Sequence, residues 1–172
     1  MLASKIDKLI KNYPNFPKKG ILFKDITPIL SKPEIFSDII DQMSSFDCYE
    51  KADAIIAIDA RGFLFASALG IKLSKPIILA RKPGKLPGEL LQKEYNLEYG
   101  KNCLTLQRDS LEIGSKFVVI DDLLATGGTV QCVSDILEDV GKEVLGLVVL
   151  VELNDLSARS KFSFPVHSII TY

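Results

Sequence analysis

The segment Ala54-Ile55-Ile56-Ala57-Ile58 is wholly apolar, rich in branched side chains and too short for a helix. Phe117-Val118-Val119-Ile120 has the same character, as does the longer run from Val144 to Leu153 apart from Glu152. A strand without a wet face must be covered on both sides, whereas a half-solvated antiparallel strand alternates apolar with polar. Pro76 to Ala80 and Val166 to Ile170 read as further buried strands, with a weaker one from Leu104 to Gln107. Helical patterns separate them. Ile6, Leu9 and Ile10 mark a short N-terminal helix, and Ile35, Phe36, Ile39, Ile40, Met43 and Phe46 give a second one after Pro33. Phe63 to Leu69 reads as a helix closed by Gly70. Val130, Val133, Ile136, Leu137 and Val140 share the face of another, which stops at Gly141. This alternation predicts an α/β fold, a mostly parallel central sheet flanked by helices on both faces.

Few function classes survive the composition. With 172 residues the chain suits one domain, and 21 Lys+Arg against 22 Asp+Glu give no overall pull toward nucleic acid or a membrane surface. No apolar run approaches the roughly 18 residues of a membrane span, and the N-terminus lacks the apolar stretch of a signal peptide. Cys48, Cys103 and Cys132 are an odd count without CxxC spacing, so a cytoplasmic location is expected, with no disulfide framework and no cysteine zinc site.

Open parallel sheets bind ligands beyond the carboxyl ends of their strands. Three such ends carry unusual chemistry: Asp59-Ala60-Arg61-Gly62, Arg81-Lys82-Pro83-Gly84-Lys85, and Asp121-Asp122. The last opens into Ala125-Thr126-Gly127-Gly128-Thr129 at a helix start, where successive backbone N–H groups and the helix dipole suit a phosphate. Like charge keeps the aspartates off that phosphate; they suit ribose hydroxyls, or a hydrated magnesium ion on a polyphosphate. There is no GxxxxGK[ST] and no GxGxxG, which disfavours a P-loop NTPase or a Rossmann dehydrogenase. Residues 81–103 hold three Gly and two Pro with no clean period, the profile of a functional lid loop.

VVIDDLLATGGT resembles the phosphoribosyl-pyrophosphate (PRPP) motif of type I phosphoribosyltransferases, in the form typical of those that act on adenine. YPNFPKKGILFKDITPIL at 13–30, DARGFLFASALG at 59–70, RKPGKLPGE at 81–89 and YNLEYG at 95–100 match the same group in the same order. The resemblance therefore covers nearly the whole chain. It implies the family fold in a single domain, with a small N-terminal base-binding hood within 1–33 and a flexible lid. It implies transfer of the 5-phosphoribosyl group from PRPP to adenine, giving AMP and pyrophosphate with magnesium, in a cytoplasmic homodimer.

By the same resemblance, Ala125, Thr126, Gly127, Gly128 and Thr129 hold the 5-phosphate, and Asp121 and Asp122 address the ribose or the magnesium carried by PRPP. Asp59, Ala60, Arg61, Arg81, Lys82 and Lys85 face the pyrophosphate, with a cis peptide between Asp59 and Ala60. Glu98, beside the lid residue Tyr99, matches a glutamate that handles the proton on adenine N7. Phe23 stacks on the base while backbone groups of Leu22 and Lys24 read its edge. Lys24 stands where many relatives carry arginine, which removes a planar fork from the pocket. The competing readings are another purine phosphoribosyltransferase, a PRPP-sensing regulator, which would need a nucleic-acid-binding module and basic surface, and a PRPP synthetase, which would need an ATP site. His167, Ser67, the cysteines and the acidic face Asp135, Glu138 and Asp139 read as structural.

Overall fold

The computed structural model describes residues 1–97 and 100–172, in two compact units, Met1–Gln42 and Met43–Tyr172. The first contains α1 (Leu2–Leu9), β1 (Lys11–Pro14), β2 (Leu22–Asp25), the short α2 (Thr27–Leu30) and most of α3 (Pro33–Ser44). Ile6 and Ile10 are buried, as are Ile35, Ile39, Ile40 and Met43 of α3, in line with their helical spacing; Phe46 lies beyond the helix. β1 and β2 pair antiparallel, with Tyr13 opposite Phe23 and Asn12 opposite Lys24, a hairpin that local periodicity does not reveal. Its loop is closed by Asn15, whose side-chain oxygen accepts from the Gly20 N–H at 2.9 Å.

The second unit runs β3 (Ala54–Ile58), α4 (Gly62–Leu73), β4 (Ile77–Ala80), β5 (Leu90–Leu97), β6 (Gly100–Gln107), β7 (Lys116–Leu124), α5 (Gly128–Asp139), β8 (Glu143–Glu152) and β9 (Val166–Thr171). Five strands form one parallel sheet in the order β4-β3-β7-β8-β9. The most apolar strands, β3, β7 and β8, take its centre, as their missing wet face requires. The chain steps outward in one direction through β3-α4-β4 and in the other through β7-α5-β8. Right-handed crossovers in opposite directions put the two helices on opposite faces. Ile56, Ile58, Val119 and Val149 pack with Val130, Val133, Ile136 and Leu137 of α5 and with Leu104 and Leu106 of β6.

Four expectations need correction. Residues 81–103 are not an irregular loop throughout: β5 and β6 make an antiparallel hairpin from Leu90 opposite Gln107 to Leu97 opposite Gly100. Mixed polar and apolar side chains over a ribbon of two strands hide its period. β7 does not end at the aspartates but continues to Leu124, because β8 keeps pairing with it as far as Glu152. α4 runs through Gly70 to Leu73 and is ended by Ser74 in the left-handed region. Gly70 instead admits Ile77: a Cβ there would lie 2.5 Å from the Ile77 Cδ1. Finally, β4 is half-exposed, with Ile78 and Ala80 buried but Ile77 and Leu79 reaching solvent at the sheet edge.

Candidate active site

Strand order brings the chemistry-bearing ends together. β4, β3 and β7 are parallel neighbours, so Arg81, Asp59 and Asp121-Asp122 emerge side by side at one edge. Asp59, just past β3, is tied to β4 by its N–H to the Ala80 carbonyl at 2.9 Å. The Asp59–Ala60 peptide is cis, as the resemblance implies. Gly62, opening α4, lies against β7: a Cβ there would sit 2.9 Å from the Ile120 oxygen and 3.1 Å from the Asp121 Cα. Only glycine lets this turn approach β7 so closely.

Two arginines cross the gaps between strands. Arg81 Nε pairs with Asp59 Oδ2 at 2.9 Å, and its guanidinium carbon stands 5.6 Å from the Phe63 ring centre. Its backbone is fixed by paired bonds with Thr105, and the buried Thr105 hydroxyl donates to the Arg81 carbonyl at 2.9 Å. Arg61 Nη2 stands 2.8 Å from Asp122 Oδ2. That contact is an ion pair off the hydrogen-bonding line, since Oδ2 has no aligned donor among the described residues. Asp121 Oδ1 accepts from the Asp122 N–H at 2.8 Å. Burial pushes both carboxyls upward; the neighbouring Asp122 charge adds to the effect at Asp121, while Arg61 opposes it at Asp122. Lys82 and Lys85 are exposed on the segment leading to the hairpin.

Beyond Leu124 the chain turns through Ala125 and Thr126 into Gly127, which has φ +82° and precedes α5 without any side-chain cap. The first-turn N–H groups of α5 thus have no intrahelical carbonyl to bond. They border a cavity of about 300 Å³ lined by Thr126, Gly127, Gly128, Gln131, Lys161 and the hairpin residue Glu94, among others. The base of the hairpin is moored to α5: Lys93 Nζ pairs with Asp139 at 2.7 Å, and the Cys132 thiol donates to the Lys93 carbonyl at 3.2 Å.

The structure thus unites three of the sequence-derived groups: Asp59 to Arg61, Arg81, and Asp121-Asp122. The 125–129 turn continues directly from β7. Leu22, Phe23 and Lys24 lie on β2 of the N-terminal unit, with the Phe23 ring edge-on to Phe16 at 5.1 Å. Glu98 and Tyr99 lie outside the described residues. Thr105 and Lys161 escape sequence reasoning, because only tertiary contacts bring them to Arg81 and Thr126. His167, Ser67 and Cys132 are held by packing and local bonds, whereas Asp135 of the acidic face lines the cavity beside α5. His167 stacks on Phe46 with ring centres 4.4 Å apart, and burial lowers its pKa. Ser67 donates to the Phe63 carbonyl within its helix. Burial pushes the Cys132 thiol up to about 11, so it is held as an unreactive thiol.

Residues 25–168 match the family model described as phosphoribosyl transferase domain. The chain belongs to the phosphoribosyltransferase family. Among curated phosphoribosyltransferases it is 58% identical to the adenine phosphoribosyltransferase of Prochlorococcus marinus strain AS9601, over 97% of this chain and 98% of that one. A counterpart from Ureaplasma parvum is 44% identical over 97% of this chain and 96% of its own. Of solved structures, the adenine phosphoribosyltransferase of Thermoanaerobacter pseudethanolicus superposes with a TM-score of 0.93 at 41% identity, covering 100% of both chains. The Saccharomyces cerevisiae enzyme, crystallised with an imino-altritol bisphosphate and adenine, gives 0.90 at 34% identity over 98% of each.

Proposed function

We propose that this phosphoribosyltransferase moves the 5-phosphoribosyl group of PRPP to adenine, forming AMP and pyrophosphate. The observation that carries the reading is the row of strand ends, two arginines beside two buried aspartates and an uncapped helix start, which matches a substrate anionic at both ends. The 5-phosphate sits at Ala125 to Thr129, where the first-turn N–H groups of α5 have neither an intrahelical carbonyl nor a side-chain cap. Departure of pyrophosphate leaves positive charge at C1 of the ribose and negative charge on the leaving group. Arg61 and Arg81 stabilise the latter after exchanging their carboxylate partners for it, assisted by Lys82 and Lys85. Asp121 and Asp122 hold the ribose hydroxyls. Glu98 takes up the proton lost by the base, Tyr99 belongs to the closing lid, and Leu22 to Lys24 bind the adenine ring.

Magnesium fits as an ion carried in by the substrate. Asp122 Oδ2 is a buried oxygen without an aligned donor, and no cage of three or more ligating side chains exists among the described residues. Mg²⁺ characteristically takes one or two carboxylates plus phosphate oxygens; Asp121 and Asp122 would meet it there, and it would neutralise leaving-group charge. The active form in this reading is a cytoplasmic homodimer, and a reducing compartment suits its three free cysteines.

The test is an end-point assay with magnesium, PRPP and each of adenine, hypoxanthine and guanine. AMP from adenine alone is expected. Product from hypoxanthine or guanine at a comparable rate would overturn the base assignment.

A further inference from the structure

The cavity beside the uncapped start of α5 has an uneven charge. Among the described residues that line it, Glu94 and Asp135 are acidic and Lys161 is the one cation. Asp135 accepts from the Gln131 amide at 2.7 Å and has Lys93 beside it, which leaves Lys161 as the described cation that lines the cavity itself. Lys161 Nζ also donates to the Thr126 carbonyl at 2.7 Å, across 35 residues of sequence. The Thr126–Gly127 peptide plane carries that carbonyl on one side and the Gly127 N–H on the other. Anchoring the oxygen therefore fixes where the N–H points, and keeps a repelling carbonyl from turning into the phosphate cradle. An ammonium has three donors, so two remain for an anion in the cavity.

The segment bearing Lys161 is itself clamped. Arg159 grips the buried Glu152 at the end of β8 with both Nε and Nη2, and also donates to the Val166 carbonyl. Ala158 and Phe162 close over Gly127, where a Cβ would lie 3.4 Å and 2.9 Å from them. Glu152 is the register partner of Leu124, the last residue before the 125–129 turn. A rigid path thus leads from the sheet, through Arg159, to the residue that holds Thr126.

We infer that Lys161 is a positioning and charge-bearing residue of the 5-phosphate site, orienting the Thr126–Gly127 peptide and presenting a cation to the phosphate. The inference rests on the placement of the 5-phosphate at 125–129 proposed above. It predicts a defect confined to that end of the substrate. Ribose 5-phosphate and inorganic pyrophosphate separate the two ends, and their affinities are read by calorimetry on the full chain.

Lys161→Ala should weaken ribose 5-phosphate about tenfold, the size of a lost hydrogen bond to a charged group, and leave pyrophosphate within twofold. KM for PRPP should rise about tenfold with KM for adenine unchanged. Lys161→Arg should restore most of the loss. Lys161 is exposed, so the thermal midpoint should not move. Thr129→Ala serves as the control on the underlying reading. Should Thr129→Ala weaken ribose 5-phosphate while Lys161→Ala does not, the role of Lys161 is refuted and the phosphate placement stands. Should neither variant weaken it, both fail. Equal weakening of ribose 5-phosphate and pyrophosphate by Lys161→Ala would reduce Lys161 to a general structural role and overturn the inference.

Discussion

Glu152 carries a charge where few are tolerated, 2% exposed at the end of a central strand. Its two oxygens accept from Arg159 at 2.9 and 2.5 Å, and Oε2 also accepts from the Ser168 hydroxyl at 2.7 Å. These bonds hold its carboxyl below the usual glutamate value of 4.5 despite burial. A depressed native value means stability that is present above 4.5 and lost as the pH falls through the lower native value. Glu152→Gln keeps the shape and removes the charge. Half of the Arg159 side chain is exposed, so the cost at pH 7 should fall near the lower end of the range for charge-assisted bonds, about 1–2 kcal/mol. Melting curves from pH 7 to pH 3 should show the gap between parent and variant closing below about pH 4.5; a gap constant with pH would refute this account. Residues differ in how far sequence reveals them. Asp59, Arg61, Arg81, Asp121 and Asp122 are legible because each stands in a short motif at a strand end. Glu152, Thr105 and Lys161 are not, because each owes its role to a partner 7, 24 or 35 residues away.

Elements were legible where burial is complete. β3, the body of β8 and the first half of β7 are read correctly because strands covered on both faces leave long apolar runs, whereas the acidic pair Asp121-Asp122 hides the last residues of β7. The β1-β2 hairpin, β5 and the first half of β6 are not read because their side chains follow no single period; only Leu104 to Gln107, the half of β6 with buried side chains, shows as a strand. The boundary between β3 and α4 depends on how closely two elements approach, which sequence shows only as a glycine. Gly62→Ala would place a methyl 2.9 Å from the Ile120 carbonyl and 3.1 Å from the Asp121 Cα. Both are backbone atoms of the central strand and cannot move aside. The Asp59–Arg61 turn should therefore shift away from β7, with a loss of about 1–3 kcal/mol. The separation of Arg61 from Asp122, now 2.8 Å, should widen with it. Urea unfolding and the KM for PRPP should both respond. An unchanged denaturation midpoint together with an unchanged KM would show that the turn has room to spare.

At the scale of the whole molecule, four of the exposed large apolar side chains described in the second unit lie on two elements, α4 and β4. Ile71 on α4 is 83% exposed, and Leu64 lies seven residues before it, two turns away on the same helix face. Ile77 and Leu79 reach solvent from β4, and Ile77 rests on Gly70 beside Ile71. Contiguous exposed apolar side chains of this kind mark interaction sites on soluble proteins. A second copy of the chain is the occupant that the homodimer reading requires. Lys82 and Lys85 follow β4 directly and are exposed, so a dimer closed over α4 and β4 would have both lysines at its margin, within reach of a neighbouring pyrophosphate site. Ile71→Glu buries a charge in that contact and should dissociate it. In sedimentation the parent should behave as a particle of twice 19.0 kDa, and the variant as one of half that mass. Because the lysines would then be withdrawn from the neighbouring site, kcat/KM for PRPP should fall in proportion to the dimer lost. A parent sedimenting at 19.0 kDa throughout the micromolar range would rule out the dimer. A variant that dissociates with full activity would confine Lys82 and Lys85 to their own subunit.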